Sequence, residues 1–212
     1  MYRLIILAAG GCGREVLQWA MDINEKTHRW CFFGFLDYDE NMLEGKTAVA
    51  VIIGNDDNYE IQENDEFICV VGDGVLREKI INRMKARGAK FINLIHPTAI
   101  VARSATLGEG VVVYPYALIT ADTKIGNGCI INMNCSIGHD VDMGDYCTIS
   151  PNCNITGKCI IGKHVFMGVG VQIIPSMKVE NDAYICAGSV VMTKIKEGAK
   201  VIGNPAKRIR AW

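Results

Sequence analysis

The sequence predicts a two-part molecule: a Rossmann-like α/β domain over residues 1–94, then a parallel β-helix of hexapeptide repeats over residues 95–212. Three observations predict it. From Ile95 onward every sixth residue is aliphatic or Met, through Val101, Leu107, Val113, Ile119, Ile125, Ile131, Ile137 and Met143, and on without a break to Val191. A six-residue period is neither helical nor that of an alternating strand, and it is the signature of a β-helix. Four of the five prolines, Pro97, Pro115, Pro151 and Pro175, occupy the third place of their block. Before residue 95 the period vanishes, and an apolar strand runs into a glycine-rich turn and an amphipathic stretch.

The N-terminal elements follow in order. Arg3 to Ala9 is a continuous apolar run, as expected of a buried parallel strand. It enters Gly10-Gly11-Cys12-Gly13, after which Arg14 to about Glu25 carries Val16, Leu17 and Ala20 on one helical face. Strand, glycine turn and helix start together make an anion site, because backbone N–H groups and the helix dipole face a phosphate. Trp30 to Leu36 reads as a second strand ending at Asp37, an acid placed to contact a ribose or base. Phe67 to Val71 is a third strand, followed by Gly72-Asp73-Gly74 and a helix from about Leu76 to Arg87. Phe91 to Ile95 feeds the repeat. The place of the first glycine in the G-x-G-x-x-G fingerprint is taken by Ala8. A domain this small suits a mononucleotide or nucleotide-sugar better than a dinucleotide.

Within the repeat, the fifth place of each block is small or slim and holds five of the nine cysteines, namely Cys129, Cys135, Cys147, Cys153 and Cys159. Free cysteine packs as a small hydrophobe, so these are expected core residues. The series of fifth places is expected to run as far as Ile195. Proline cannot donate to a ladder, so the third place should be a corner between short strands. His139 is also a third-place residue, and the chain has only four histidines. With three blocks to a coil, its stacked neighbours are Ala121 and Gly157, which leave the imidazole room.

Composition excludes several classes. Twenty-two lysines and arginines against 23 acids give a formal charge of −1, no basis for nucleic acid or an anionic membrane as partner. The apolar run at Leu4 to Ala9 is too short for a signal peptide or a membrane span, so a cytoplasmic protein is expected. Disulfides are then not expected, and no C-x-x-C pair suggests a metal. A zinc site on the β-helix would need histidines one or two coils apart. His96, His139 and His164 are not so spaced, and no metal is expected.

Several motifs occur in a fixed order: Gly10-Gly11-Cys12-Gly13-Arg14-Glu15, Gly34-Phe35-Leu36-Asp37, His96-Pro97-Thr98-Ala99, Ile137-Gly138-His139-Asp140 and Gly203-Asn204-Pro205-Ala206-Lys207. The set resembles the sugar O-acyltransferase family, typified by sialic acid O-acetyltransferases and by bacterial N-acetyltransferases acting on UDP-4-amino sugars. The resemblance covers nearly the whole chain. It implies a left-handed β-helix that binds acetyl-CoA, an N-terminal unit that binds the nucleotide-sugar, and a homotrimer with active sites between subunits. By the family's motif the catalytic base falls on His139, the acid that follows it on Asp140, and a further polar residue on Asn132. Two positions depart from the pattern: Cys12 and Thr148 stand where family members often carry histidine.

These residues imply acetyl transfer to an amine of a nucleotide-linked sugar. His139 takes the proton, Asp140 orients the ring, and the N–H of Gly157 is a candidate oxyanion donor. Gly10, Gly11, Cys12, Gly13, Arg14, Asp37 and Gly72 are the candidate substrate contacts. Gly168, Gly170, Ala187 and Gly188 would let a pantetheine arm lie close to the backbone, and Lys207 and Arg208 could meet the phosphates of acetyl-CoA. Two other readings stay open. O-acetylation of a sialic acid would use the same base, and a non-catalytic scaffold would use none of it.

Overall fold

The computed structural model describes residues 1–47 and 49–209. The N-terminal part is a four-stranded parallel sheet in the order β3-β2-β1-β4, formed by β1 (Tyr2–Leu7), β2 (Trp30–Leu36), β3 (Val51–Ile52) and β4 (Asp65–Cys69). Helix α1 (Gly11–Thr27) links β1 to β2, and α2 (Gly74–Ala86) follows β4. Both helices begin two to three residues before the sequence suggested, because the glycines that read as turn are already the first helical residues. Strand β3 is too short to show in the sequence pattern. Leu4, Ile5, Ile6, Phe35, Phe67 and Ile68 are buried on both faces of the sheet, which accounts for their uninterrupted apolar runs. The chain turns from β1 toward β2 on one side and reaches β4 on the other. The crevice between the carboxyl ends of β1 and β4 is therefore the switch point at which open α/β sheets bind ligands.

From Leu94 the chain winds as a three-sided solenoid with two-residue strands on every side. Each strand pairs in parallel with the strand 18 residues on, as in Ile131↔Ile149, Ile137↔Ile155 and Met143↔Ile161, so three hexads make one coil. The aliphatic first-place residues point inward, and Ile119, Ile131, Ile137, Ile149 and Ile155 are buried. Each such side chain contributes about 1.5–3 kcal/mol. The five fifth-place cysteines are buried free thiols in this core, as their column predicted.

Each corner takes two residues. Third-place residues such as Asn152's neighbour Pro151 lead, and every fourth-place residue from Gly110 to Gly188 has a positive φ. That is the pattern of a type II turn, with proline favoured first and a left-handed residue second. Glycine, asparagine or aspartate fills most of these fourth places, including Gly110, Asp122, Gly128, Asn134, Asp140, Asn152 and Gly170. The periodicity fails at one point. Ile195 was expected in a fifth place, but it bridges Val179 sixteen residues back, and Lys200 pairs with Tyr184 at the same offset. The last block is shortened by two residues, so Ile195 takes a first place in the core. Lys207–Arg208 then folds back antiparallel on Lys200–Ile202 at that end.

The three faces differ outside. The first, outward through Leu94, Val112, Ile130 and Thr148, is covered by the α/β domain, whose α1 residues Val16, Leu17 and Ala20 share a core cluster with Leu94, Val112 and Ile130. The second presents Ile100, Leu118, Ser136, Asn154, Gln172 and Val190, all without charge. The third presents Thr106, Lys124, Asp142, Ile160 and Lys178. Among the described residues no helix is long and apolar enough to cross a membrane.

Arg77 on α2 locks the two parts together. It is fully buried, and its guanidinium donates to the carbonyls of Val71 and Gly72 on its own domain and of Gly128, Tyr146 and Cys147 on the solenoid. Burial holds its pKa below the usual arginine value. Thr148 adds a second tie by donating to the Gly72 carbonyl at 2.8 Å. The departure from histidine at Thr148 therefore lies at the seam between the domains.

Candidate active site

His139 stands on the corner between the second and third faces. Its neighbour Asp140 is a fourth-place residue with φ 57°, and that left-handed backbone brings the carboxylate beside the ring. Asp140 Oδ2 lies 2.7 Å from His139 Nδ1. A carboxylate only accepts, so Nδ1 donates, and in the neutral ring the lone pair is then on Nε2. The pair is open to solvent, with side chains 61% and 51% exposed. Gly157 lies beneath the ring, one coil on: a Cβ there would sit 2.5 Å from Nε2 and 2.6 Å from Cε1. Only glycine lets the imidazole occupy this place. The Gly157 N–H donates to no acceptor among the described residues. The same free third-place N–H is what allows proline elsewhere in the repeat.

Asn132 is not brought to His139 within one chain. It begins the corner between the first and second faces, and its side chain accepts from the Met133 N–H at 2.8 Å. Gly170, Ala187 and Gly188 lie on that same corner, lower down, with open space above Gly170 and Gly188. Gly168 is buried, and its lack of a side chain has a packing cause: a Cβ would meet the Ala187 nitrogen at 2.6 Å. Lys207 and Arg208 line a groove of about 380 Å³ with Thr193 and with Lys194 and Lys196, two lysines that no motif singled out. Thr193 belongs to the His139 corner, three coils on.

The glycine turn leaves the start of α1 open. Gly10 caps α1 without a side-chain hydrogen bond, and nothing lies within 4 Å of a Cβ at Gly10 or Gly11. Gly13 packs under the Ala8 carbonyl, where a Cβ would collide. Ala8 has φ 84°, so its backbone does what the missing fingerprint glycine would do, at a cost on the order of 1 kcal/mol. Arg14 reaches back to the Ala9 carbonyl at 3.3 Å. Desolvation, then Glu15, raises the Cys12 thiol above its ordinary pKa, so Cys12 stays a neutral thiol at pH 7.

Asp37 lines a cavity of about 300 Å³ at the carboxyl ends of β1, β2 and β4, with Leu7, Leu36, Val71, Leu76 and Ile80 as walls. Tyr38, Asp56 and Arg83 stand at its rim, and Arg83 pairs with both Asp56 and Asp57. The sequence reading missed these rim residues; they follow from no local pattern, since the chain brings them from two separate loops and α2. Gly72 lies elsewhere, in a second cleft of about 360 Å³ between the α2 start and the stacked pair Phe166 and Tyr184.

Comparison with known proteins agrees with this geometry. The profile of the PglD N-terminal domain matches residues 3–84, and that of the bacterial transferase hexapeptide (six repeats) matches residues 122–157. The chain carries both the PglD N-terminal domain and the transferase hexapeptide repeats, the make-up of sugar acetyltransferases of the left-handed β-helix type. Among solved structures, the acetyltransferase domain of PglB from Neisseria gonorrhoeae FA1090, in complex with acetyl coenzyme A, is 29% identical. The match has a TM-score of 0.90 and covers 98% of each chain. PerB from Caulobacter crescentus, in complex with CoA and GDP-perosamine, is 28% identical with a TM-score of 0.87, over 99% of this chain and 98% of that one. UDP-N-acetylbacillosamine N-acetyltransferase of Bacillus subtilis (strain 168) is 43% identical over 47 residues, 22% of this chain and 22% of that protein. The matched segments span at most about a third of the curated relatives' length.

Proposed function

We propose that this protein transfers acetyl from acetyl-CoA to the amino group of a nucleotide-linked amino sugar. The observation that carries the reading is the His139–Asp140 pair set over Gly157, with one ring nitrogen oriented and the other free. The sugar amine attacks the thioester carbonyl, and His139 Nε2 takes the proton that the nitrogen sheds. Asp140 stabilises the imidazolium. The Gly157 N–H donates to the tetrahedral oxyanion. Collapse expels the CoA thiolate, which takes the proton back from His139, leaving amide and free CoA.

The cofactor fits the same corner. Coils stack about 4.8 Å apart, so Thr193 and the basic groove of Lys194, Lys196, Lys207 and Arg208 begin about 14 Å from His139. A pantetheine arm spans a gap of that scale, with its phosphates on the lysines and the thioester at the histidine. Acetyl-CoA supply places the reaction in the cytoplasm.

Assembly completes the site in this reading. The uncharged second face is bounded by two corners, one with His139 and the other with Asn132, Gly170, Ala187 and Gly188. Three copies turning that face to a common axis would set the first corner of each against the second corner of the next. The α/β domain of one subunit, which covers the first face and carries the nucleotide cavity, would then approach the base of its neighbour.

The test is mass spectrometry of UDP-, GDP- and dTDP-linked 4-amino sugars, beside free sialic acid, after incubation with acetyl-CoA. One added acetyl group on a nucleotide amino sugar, lost in His139→Ala, is the expected result. Acetylation of sialic acid alone would move the assignment to O-transfer, and unimpaired turnover in His139→Ala would remove the proposed base.

A further inference from the structure

We infer that the buried hydroxyl of Thr123 is a positioning group for His139: it pins the peptide that carries the base, and turnover depends on it although Thr123 touches no reactant. The inference rests on the acetyl-transfer reading above and adds a residue to it.

The residue before the base has to be glycine. A Cβ at Gly138 would lie 2.7 Å from the Gly157 nitrogen and 2.8 Å from the Thr156 carbonyl carbon. The close approach of coils that sets Gly157 beneath the imidazole therefore also puts the most permissive backbone directly before His139. Three polar groups of this corner are held by the coils on either side. The Gly138 N–H donates to the Ile155 carbonyl at 2.7 Å, the Asp140 N–H donates to the Ala121 carbonyl at 3.1 Å, and the His139 carbonyl accepts from the Lys158 N–H at 2.9 Å. The Gly138 carbonyl has no backbone donor among the described residues. At other corners the fifth-place N–H closes the turn on the second-place carbonyl, as Ala105 does on Ala102 at 3.0 Å, but here that bond is not made. Thr123 supplies the donor instead. From a fifth place fifteen residues earlier, its Oγ1 donates to the Gly138 oxygen at 2.8 Å, and the side chain is fully buried.

The rest of the solenoid shows what is particular about this bond. The five core cysteines occupy the same place and donate S–H to the second-place carbonyl fifteen residues on, at 3.0 to 3.3 Å. A thiol is a weak donor and a hydroxyl a strong one. From Ala99 to Ser189 only Thr123 and Ser189 put a hydroxyl in a fifth place, and the Ser189 oxygen accepts from the Gly203 N–H. Among the described residues, the one hydroxyl that donates to a second-place carbonyl thus lies at the corner of the base. The peptide group is planar, so fixing the Gly138 oxygen also fixes the His139 nitrogen. The ring is thereby kept over Gly157, with Nδ1 in reach of Asp140.

The test is steady-state kinetics of the full-length protein with acetyl-CoA and whichever of the UDP-, GDP- and dTDP-linked 4-amino sugars the wild type acetylates. Urea unfolding checks the fold of each variant. Thr123→Val keeps the shape and removes the donor, so kcat should fall about tenfold, the scale expected of a shift of a fraction of an ångström. Both KM values should stay within about twofold, because binding is untouched. Thr123→Ala, with the residue already present in fifth places 105 and 117, removes the donor in a second way and should show the same split. Thr123→Ser returns the hydroxyl and should restore kcat to within about twofold. Cys147→Val removes the corresponding donor at a corner without the base and should leave kcat unchanged. In His139→Ala there is no base to position, so adding Thr123→Val should not lower the residual rate. Wild-type kcat in Thr123→Val or Thr123→Ala overturns the inference and leaves the acetyl-transfer reading standing. So does a loss in Cys147→Val as large as that in Thr123→Val, or an undiminished effect of Thr123→Val in the His139→Ala background. A wild type that acetylates none of these sugars would instead remove the acetyl-transfer reading, and this inference with it.

Discussion

The two halves of this molecule place their functional groups by different means. In the solenoid, position is set by register: His139 stands over Gly157 because coils repeat every 18 residues, and Asp140 turns toward the ring because every fourth place is left-handed. In the α/β domain, position is set by loops that meet only after folding, such as Asp37 bonding to Ala9 twenty-eight residues earlier. A repeat supports its site with the whole array, so the reacting side chain itself can be nearly free of packing. A loop site depends on each of its own contacts. The two designs should therefore respond differently to single substitutions.

The sharpest separation is expected from His139→Ala. The imidazole is exposed and packs only over a glycine, so the melting temperature should move by less than about 1 °C for a surface change of this kind. Turnover at saturating substrate should fall by about 10² to 10⁴. Parallel losses of stability and activity would mean that the corner is structural.

Arg77→Ala tests whether the halves are as independent as this contrast makes them. Five backbone carbonyls from the two domains lose their shared donor. The expected cost is about 3 kcal/mol in urea unfolding, since each orphaned buried acceptor costs roughly 1–3 kcal/mol and water will reach some of them. Nucleotide binding should weaken too, because Val71 belongs to both the Arg77 clamp and the cavity wall. Unchanged unfolding would show that the apolar seam of Leu94, Val112 and Ile130 with α1 carries the coupling alone.

The same contrast explains what could be read from the sequence. The solenoid was legible almost completely, because a first-place aliphatic, a slim fifth-place residue and a third-place proline are each local consequences of one repeated geometry. His139 and its neighbour Gly157 could be paired by counting to 18. The left-handed fourth place was equally visible in Gly110, Asp122, Gly128, Asn134 and Asp140, and it would have supplied the reason for an acid after the histidine. The shortened last block was not legible, since Ile195 satisfies the six-residue count while the chain skips two residues around it. In the α/β domain the strand, glycine turn and Asp37 were legible as a motif. Tyr38, Asp56 and Arg83 were not, because their meeting is a tertiary event with no period to announce it. The Arg77 clamp was hidden for the same reason: a buried arginine bound only to carbonyls leaves no acidic partner in the sequence.

Gly157→Ala sharpens the role of register. Gly157 is absent from the positive-φ residues, so alanine suits its backbone and the coil should keep its stability. The added methyl would nevertheless fall within 3.0 Å of three ring atoms of His139. The imidazole must swing away and lose its hydrogen bond to Asp140. A displacement of about 1 Å is worth up to 10² in rate, so turnover should fall by about 10- to 100-fold with little change in unfolding.

Asp140→Asn is expected to be the mildest of these changes, because it leaves the corner intact. Asparagine tolerates the left-handed backbone at φ 57°, so the fold should not register the substitution. The amide oxygen can still accept from Nδ1, which keeps the ring oriented. It no longer opposes the charge on the imidazolium that forms when the amine loses its proton. On an exposed corner that charge is also stabilised by water, so the loss should be about tenfold in turnover, well short of what removing the base costs. A loss as large as that of His139→Ala would mean that Asp140 does more than steady the ring, as it would if closure by a neighbouring subunit excluded water from the corner.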